Sequence, residues 1–152
     1  MNKKDYGLAD SIDVIEEVLE SGGEFKIYPR GKSMLPLIVE GEDSVVLIKK
    51  DGKLKRNDVA FYRRDDGRFV LHRVAKVCRD GSYIMCGDNQ TVLERGITDA
   101  HIIGVVHELY KKEKLFDTNT FSHKFYLAIW CRVPLRRLLR FPRRCINKIF
   151  RR

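Results

Sequence analysis

The chain has 152 residues, 43% of them apolar and 34% charged, which suits one domain with a real core and room for an appendage. Its net charge of +9 would suggest a nucleic-acid binder if it were spread evenly, but it is not. Residues 1–117 hold 20 Lys and Arg against 21 Asp and Glu, whereas residues 118–152 hold 10 and no acid. The body is close to neutral and the tail carries the excess.

The elements read in order as follows. From Asp10 or Ser11 to Ser21, apolar Ile12, Ile15, Val18 and Leu19 recur at helical spacing until Gly22-Gly23 stops them. This predicts a short amphipathic helix packed on the domain. The period then changes to that of strands: Phe25 to Tyr28, Ser44 to Ile48, Val59 to Arg63, Arg68 to Val77, Ser82 to Cys86 and Ile102 to Tyr110. Lys50-Asp51-Gly52, Asp65-Asp66-Gly67 and Arg79-Asp80-Gly81 separate several of them, the last two as hairpin turns. Short strands joined by tight turns indicate a mainly β domain, a folded sheet or partly open barrel.

Beyond Asp117 the character changes again. Thr118-Asn119-Thr120 can cap a helix starting near Phe121, with Leu135, Leu138 and Leu139 on one face and Arg132, Arg136, Arg137 and Arg140 on the other. Pro142 interrupts it, and Ile146, Ile149 and Phe150 repeat the pattern among Arg144, Lys148, Arg151 and Arg152. Three segments result: residues 1–23 as a packed helix, 24–117 as the β domain, and 118–152 as a basic amphipathic tail. A helix of that composition suits the interface of an anionic membrane, with Phe121–Arg152 as the contact. Nucleic acid is the weaker partner, because no stacking motif or helix-turn-helix accompanies the charge.

Cys78, Cys86, Cys131 and Cys145 form no CxxC pair and no metal-ligand spacing, so free thiols are expected, and neither a metal nor a cofactor. The N-terminus leads into acidic sequence rather than a long apolar segment, and the longest apolar run, Phe125 to Cys131, falls far short of a membrane span. The expected location is therefore cytoplasmic, peripheral on the inner face of the membrane.

Three clusters carry chemistry. In Arg30-Gly31-Lys32-Ser33-Met34-Leu35-Pro36, a glycine permits a sharp turn that lifts a hydroxyl beside free amides, which is what acyl transfer needs. Leu71-His72-Arg73-Val74 puts an imidazole within a strand, and Cys86-Gly87-Asp88-Asn89 follows on the neighbouring strand. A serine hydroxyl needs a base, a neutral histidine suits that role near pH 7, and a carboxylate on its far nitrogen would fix the tautomer. His101, His107 and His123 have no such context and are expected at the surface or in packing.

Taken together, Gly31-Lys32-Ser33-Met34-Leu35-Pro36, Leu71-His72-Arg73-Val74 and Gly87-Asp88-Asn89 resemble the Ser-Met-x-Pro, His-Arg-Val and Gly-Asp-Asn boxes of type I signal peptidases. More narrowly they resemble the endoplasmic-reticulum, archaeal and sporulation-type branch, whose base is His rather than Lys. Lys55-Arg56-Asn57-Asp58-Val59-Ala60-Phe61 extends the similarity, which spans about residues 24–108. The resemblance implies a signal-peptidase- and LexA-like β fold and a serine endopeptidase. Ser33 would be the nucleophile and His72 the general base. Asp88 matches the Gly-Asp-Asn aspartate, and the family's other catalytic-site Asp falls on Glu94, so the orienting acid stays open between them. The Ser33 amide would form the oxyanion hole, with Gly31 where some members place a hydroxyl. Met34 and Leu37 would line a substrate cleft, although core packing explains them equally well.

The resemblance departs in topology, because signal peptidases carry an N-terminal membrane anchor and this chain shows none. A leader-bearing or membrane-associated peptide is the expected substrate. The alternatives are a non-catalytic binding module on the same fold and a self-cleaving regulator, the latter needing a DNA-binding domain that one short helix cannot supply.

Overall fold

A computed structural model describes residues 8–138, with side chains from Ser11 onward. Leu139, Arg140, Pro142, Arg144, Cys145, Ile146, Lys148, Ile149, Phe150, Arg151 and Arg152, on which part of the tail pattern rests, lie outside the described residues.

Helix α1 spans Leu8–Glu20. Its Ile12, Ile15 and Leu19 are buried, as their spacing requires, and burying each contributes about 1.5–3 kcal/mol. The helix ends where Gly22 adopts φ +81° and its N–H donates to the Leu19 carbonyl.

Eight strands follow: β1 Phe25–Ile27, β2 Asp43–Ile48, β3 Val59–Arg63, β4 Phe69–Val77, β5 Tyr83–Cys86, β6 Glu94–Ile97, β7 Ile102–Lys111 and β8 Lys114–Leu115. They form one antiparallel sheet in the order β1-β2-β7-β3-β4-β5-β6, with β8 pairing β7. The sheet is open: its edge strands β1 and β6 do not meet, so of the two expected forms it is the sheet and not the barrel. Two strands escaped the sequence reading. β6 has no alternating apolar pattern and a glycine inside it, and β8 is only two residues long.

Strand alternation divides the core in two. Val59 and Phe61 of β3 pack with α1, Met34, Ile38 and Leu71. Ala60 and Tyr62 of the same strand pack with Val74, Tyr83, Met85 and Ile97. Register decides what this means for the site: Ala60 pairs His72 and Val59 pairs Arg73. Directly opposed residues share a face, so His72 goes with Tyr62 while neighbouring Arg73 goes the other way.

The first part of the tail packs on the body. Helix α2, Phe121–Ile129, is capped by the Thr120 side chain, which accepts from the His123 N–H at 3.3 Å. Residues 133–138 are again helical. His123, Cys131, Val133 and Arg136 are buried, so the tail is no free arm as far as residue 138. No helix among the described residues is long and apolar enough to cross a membrane. Cys78, Cys86 and Cys131 are free thiols, as expected.

Candidate active site

Ser33 lies in the turn-rich loop after β1, where Gly31 adopts φ +90°, a conformation that side chains resist. The loop is clamped from across the sheet: the Asn89 N–H donates to the Ser33 carbonyl at 2.7 Å and the Asn89 side-chain amide to the Lys32 carbonyl at 3.0 Å. Gly-Asp-Asn thus closes on the serine loop through its third residue. The backbone N–H of Ser33 donates to no other backbone group among the described residues, leaving it available to a ligand.

Gly87 is the seat of the site. A Cβ placed on it would lie 2.6 Å from the Ser33 carbonyl oxygen, 3.0 Å from Gln90 Oε1 and 3.1 Å from His72 Nε2. The separation of the serine backbone from the imidazole nitrogen is therefore bounded by the sum of two short distances. A side chain at Gly87 would force them apart. Ser33 and His72 also line one cavity of about 320 Å³, with Met34, Ile38, Leu71 and Gln90. Ser33 Oγ makes no hydrogen bond to His72 in this conformation, as is common before substrate tightens such a site.

His72 is 3% exposed, and burial, the dominant effect, pushes its pKa down to about 4, only partly opposed by Glu94. It is neutral at pH 7, and its neighbours decide which nitrogen holds the proton. Burial raises Glu94, but hydrogen bonds from Arg64 and Tyr62 outweigh it and hold the carboxyl below the usual range. Arg64 grips that carboxylate twice, Nε at 2.7 Å and Nη2 at 2.6 Å. An ionised carboxylate only accepts, so Tyr62 must spend its one hydroxyl hydrogen on Glu94 Oε2, 2.9 Å away. Tyr62 Oη is also 3.2 Å from His72 Nδ1, so in that pair the imidazole must be the donor. The proton therefore sits on Nδ1, and Nε2, the nitrogen beside Gly87 and Ser33, keeps its lone pair. That is the tautomer a general base needs. Glu94 Oε2 itself stands 3.9 Å from Nδ1, so the acid reaches the ring chiefly through the tyrosine.

Asp88 is placed differently. It is 1% exposed and holds Arg73 bidentately, Nε to Oδ1 at 2.8 Å and Nη2 to Oδ2 at 2.7 Å. Tyr126 Oη donates to Oδ2 at 2.7 Å and the Trp130 indole to the Asp88 carbonyl at 2.9 Å. Arg136 donates to the Gly87 carbonyl at 2.9 Å and also to that of Asp88. Asp88 therefore makes no hydrogen bond with His72 and ties the Gly87–Asn89 loop to the tail. Of the two acids left open, Glu94 is the one beside the base.

The other expected residues divide. Gly31 and Met34 line the Ser33 cavity, Met34 while also buried in the core. Leu37 does not: it lines a separate cavity of about 290 Å³ with Arg73, His107 and His123. His123 is buried, and burial holds its pKa below the ordinary value. His101 pairs with Asp65 at 3.0 Å. No group of three or more His, Cys, Asp or Glu among the described residues could hold a metal.

Tyr62 and Arg64 were missed in the sequence, although a signal existed. The Asp65-Asp66-Gly67 hairpin implies a β3–β4 register, and register puts Tyr62 on the His72 face. Tyr126, Trp130 and Arg136 left no such trace, since helix docking is not local.

The structure is thus an open antiparallel sheet that brings a serine loop and a buried histidine to one cavity. A family model for Peptidase S24-like proteins matches residues 2–107, and the chain belongs to that family. The family includes serine peptidases. The match stops inside β7, short of the tail. No curated protein and no solved structure matches the chain.

Proposed function

We propose that this protein is a serine endopeptidase of the His-base, signal-peptidase-like kind, acting on a leader-bearing or membrane-associated peptide. The observation that carries the reading is the convergence at Gly87 of the Ser33 backbone and the unprotonated His72 Nε2. Ser33 Oγ attacks the scissile carbonyl while Nε2 takes its proton. The imidazolium so formed is stabilised through Tyr62 by Glu94, and the developing oxyanion meets the Ser33 N–H and the backbone around Gly31. His72 returns the proton to the leaving amine, and water, deprotonated by the same nitrogen, releases the acyl-enzyme. Met34 closes the apolar side of the cleft.

The test is to trap Ser33 with an acylating inhibitor and locate the adduct by mass spectrometry. Labelling should be confined to Ser33 and should fall at least about a thousandfold in rate in His72→Ala. Ser33→Ala with undiminished peptide cleavage would end the assignment. No labelling and no peptide cleavage by the unaltered chain would instead favour a binding module that retained only the fold.

A further inference from the structure

The tail has two faces with different occupants. Tyr126, Trp130 and Arg136 turn inward onto Gly87 and Asp88. The residues facing the other way are apolar and wet: Phe121 is 84% exposed, Phe125 56% and Leu138 69%, with Leu135 beside them. Phe121 and Phe125, one turn apart, stack at 6.4 Å and present a flat aromatic surface. Both helices spend their inner sides on the same loop, so their outer sides both point away from it. Lys124 and Arg132 are also exposed, whereas Arg137 donates to the Thr91 carbonyl of the body at 2.8 Å. Across residues 118–152 ten cations meet no acid, and the family match does not reach this segment.

A soluble helix pair does not leave stacked phenylalanines and leucines in water beside a purely cationic complement without a partner. Phosphate groups above an apolar layer satisfy both demands at once, whereas a nucleic-acid duplex offers the first and not the second. We infer that the outer face of residues 121–138, with its exposed Phe121, Phe125, Leu135 and Leu138, docks on an anionic lipid surface. Because the inner face of the same helices holds the Gly87–Asp88 loop, docking fixes the Ser33 cavity close to the bilayer. The substrates within reach are then peptides emerging from or lying on the membrane. The cytoplasmic leaflet, rich in anionic lipid, is the matching surface.

The test uses the full chain carrying Ser33→Ala, so that the outcome does not depend on catalysis. Co-sedimentation is measured with phosphatidylglycerol vesicles, phosphatidylcholine vesicles and a short DNA duplex, at low and high salt. Binding is expected to phosphatidylglycerol, at least about tenfold weaker to phosphatidylcholine, and reduced but not abolished by salt. Phe121→Glu with Phe125→Glu, or Leu135→Glu with Leu138→Glu, should each lower vesicle affinity at least about tenfold with an unchanged thermal midpoint, since these side chains are exposed. No vesicle binding, equal binding to both lipids, tighter binding to the duplex, or full retention in both double variants would overturn the proposal.

Discussion

His72 and Arg73 are adjacent in the chain and live in different chemistry. On the Arg73 side the ion pair is saturated: the guanidinium and Asp88 are both buried, bidentate, and roofed by Tyr126. On the His72 side the polar chain Glu94–Tyr62–His72 ends at a nitrogen with a lone pair and no donor among the described residues. The saturated side can hold shape but has nothing left to offer a substrate. The open-ended side has a lone pair to offer. The strand that separates them is the device that lets one sequence box serve both ends.

If that division is right, the largest effect comes from breaking the saturated side. Asp88→Ala leaves Arg73 buried without its counter-charge and should destabilise the fold by about 3–5 kcal/mol, read from denaturant melts. Asp88→Asn should cost less while leaving residual cleavage by the folded fraction. An Asp88→Ala variant of native stability would show that the pair is ornamental.

Tyr62→Phe probes the open-ended side. It deletes the hydroxyl that receives Nδ1–H, and kcat should fall about tenfold to a hundredfold with KM little changed and the melt shifted only slightly. Glu94→Gln should fall by a smaller factor in kcat, because its carbonyl still accepts from Tyr62. Losses that appear in stability rather than in kcat would move Tyr62 to the structural side.

The pH response reports on the His72 side. Burial holds His72 near pKa about 4, below the reference of about 6.5, so the unfolded chain binds the extra proton first. Stability is unaffected by this group above about pH 6.5 and is lost as pH falls from there through about 4, by up to roughly 3 kcal/mol. Activity should likewise persist below pH 6 and decline only toward pH 4. A kcat/KM midpoint near 6.5 would mean that the base is more solvated than its 3% exposure indicates.

Much of this was legible in the chain. The helix over Ile12, Ile15 and Leu19 and six of the eight strands follow from apolar period and Asp-Gly turns, signals carried within a few residues. The convergence of Ser33 and His72 could be anticipated because three boxes occur in order. Glu94 over Asp88 could not be chosen, since both lie in the same short stretch and only β6, an unpatterned strand pairing Glu94 with Met85, aims the former at Tyr62.

The amino-acid order determined which groups exist to do chemistry and the secondary structure that carries them, because propensity, period and turn preference act over short spans. Only the folded chain decided which acid stands beside the histidine, which tautomer it holds, and that the tail lies on the Gly87–Asp88 loop. Those depend on register between strands and on burial, and both are settled by contacts between residues dozens of positions apart.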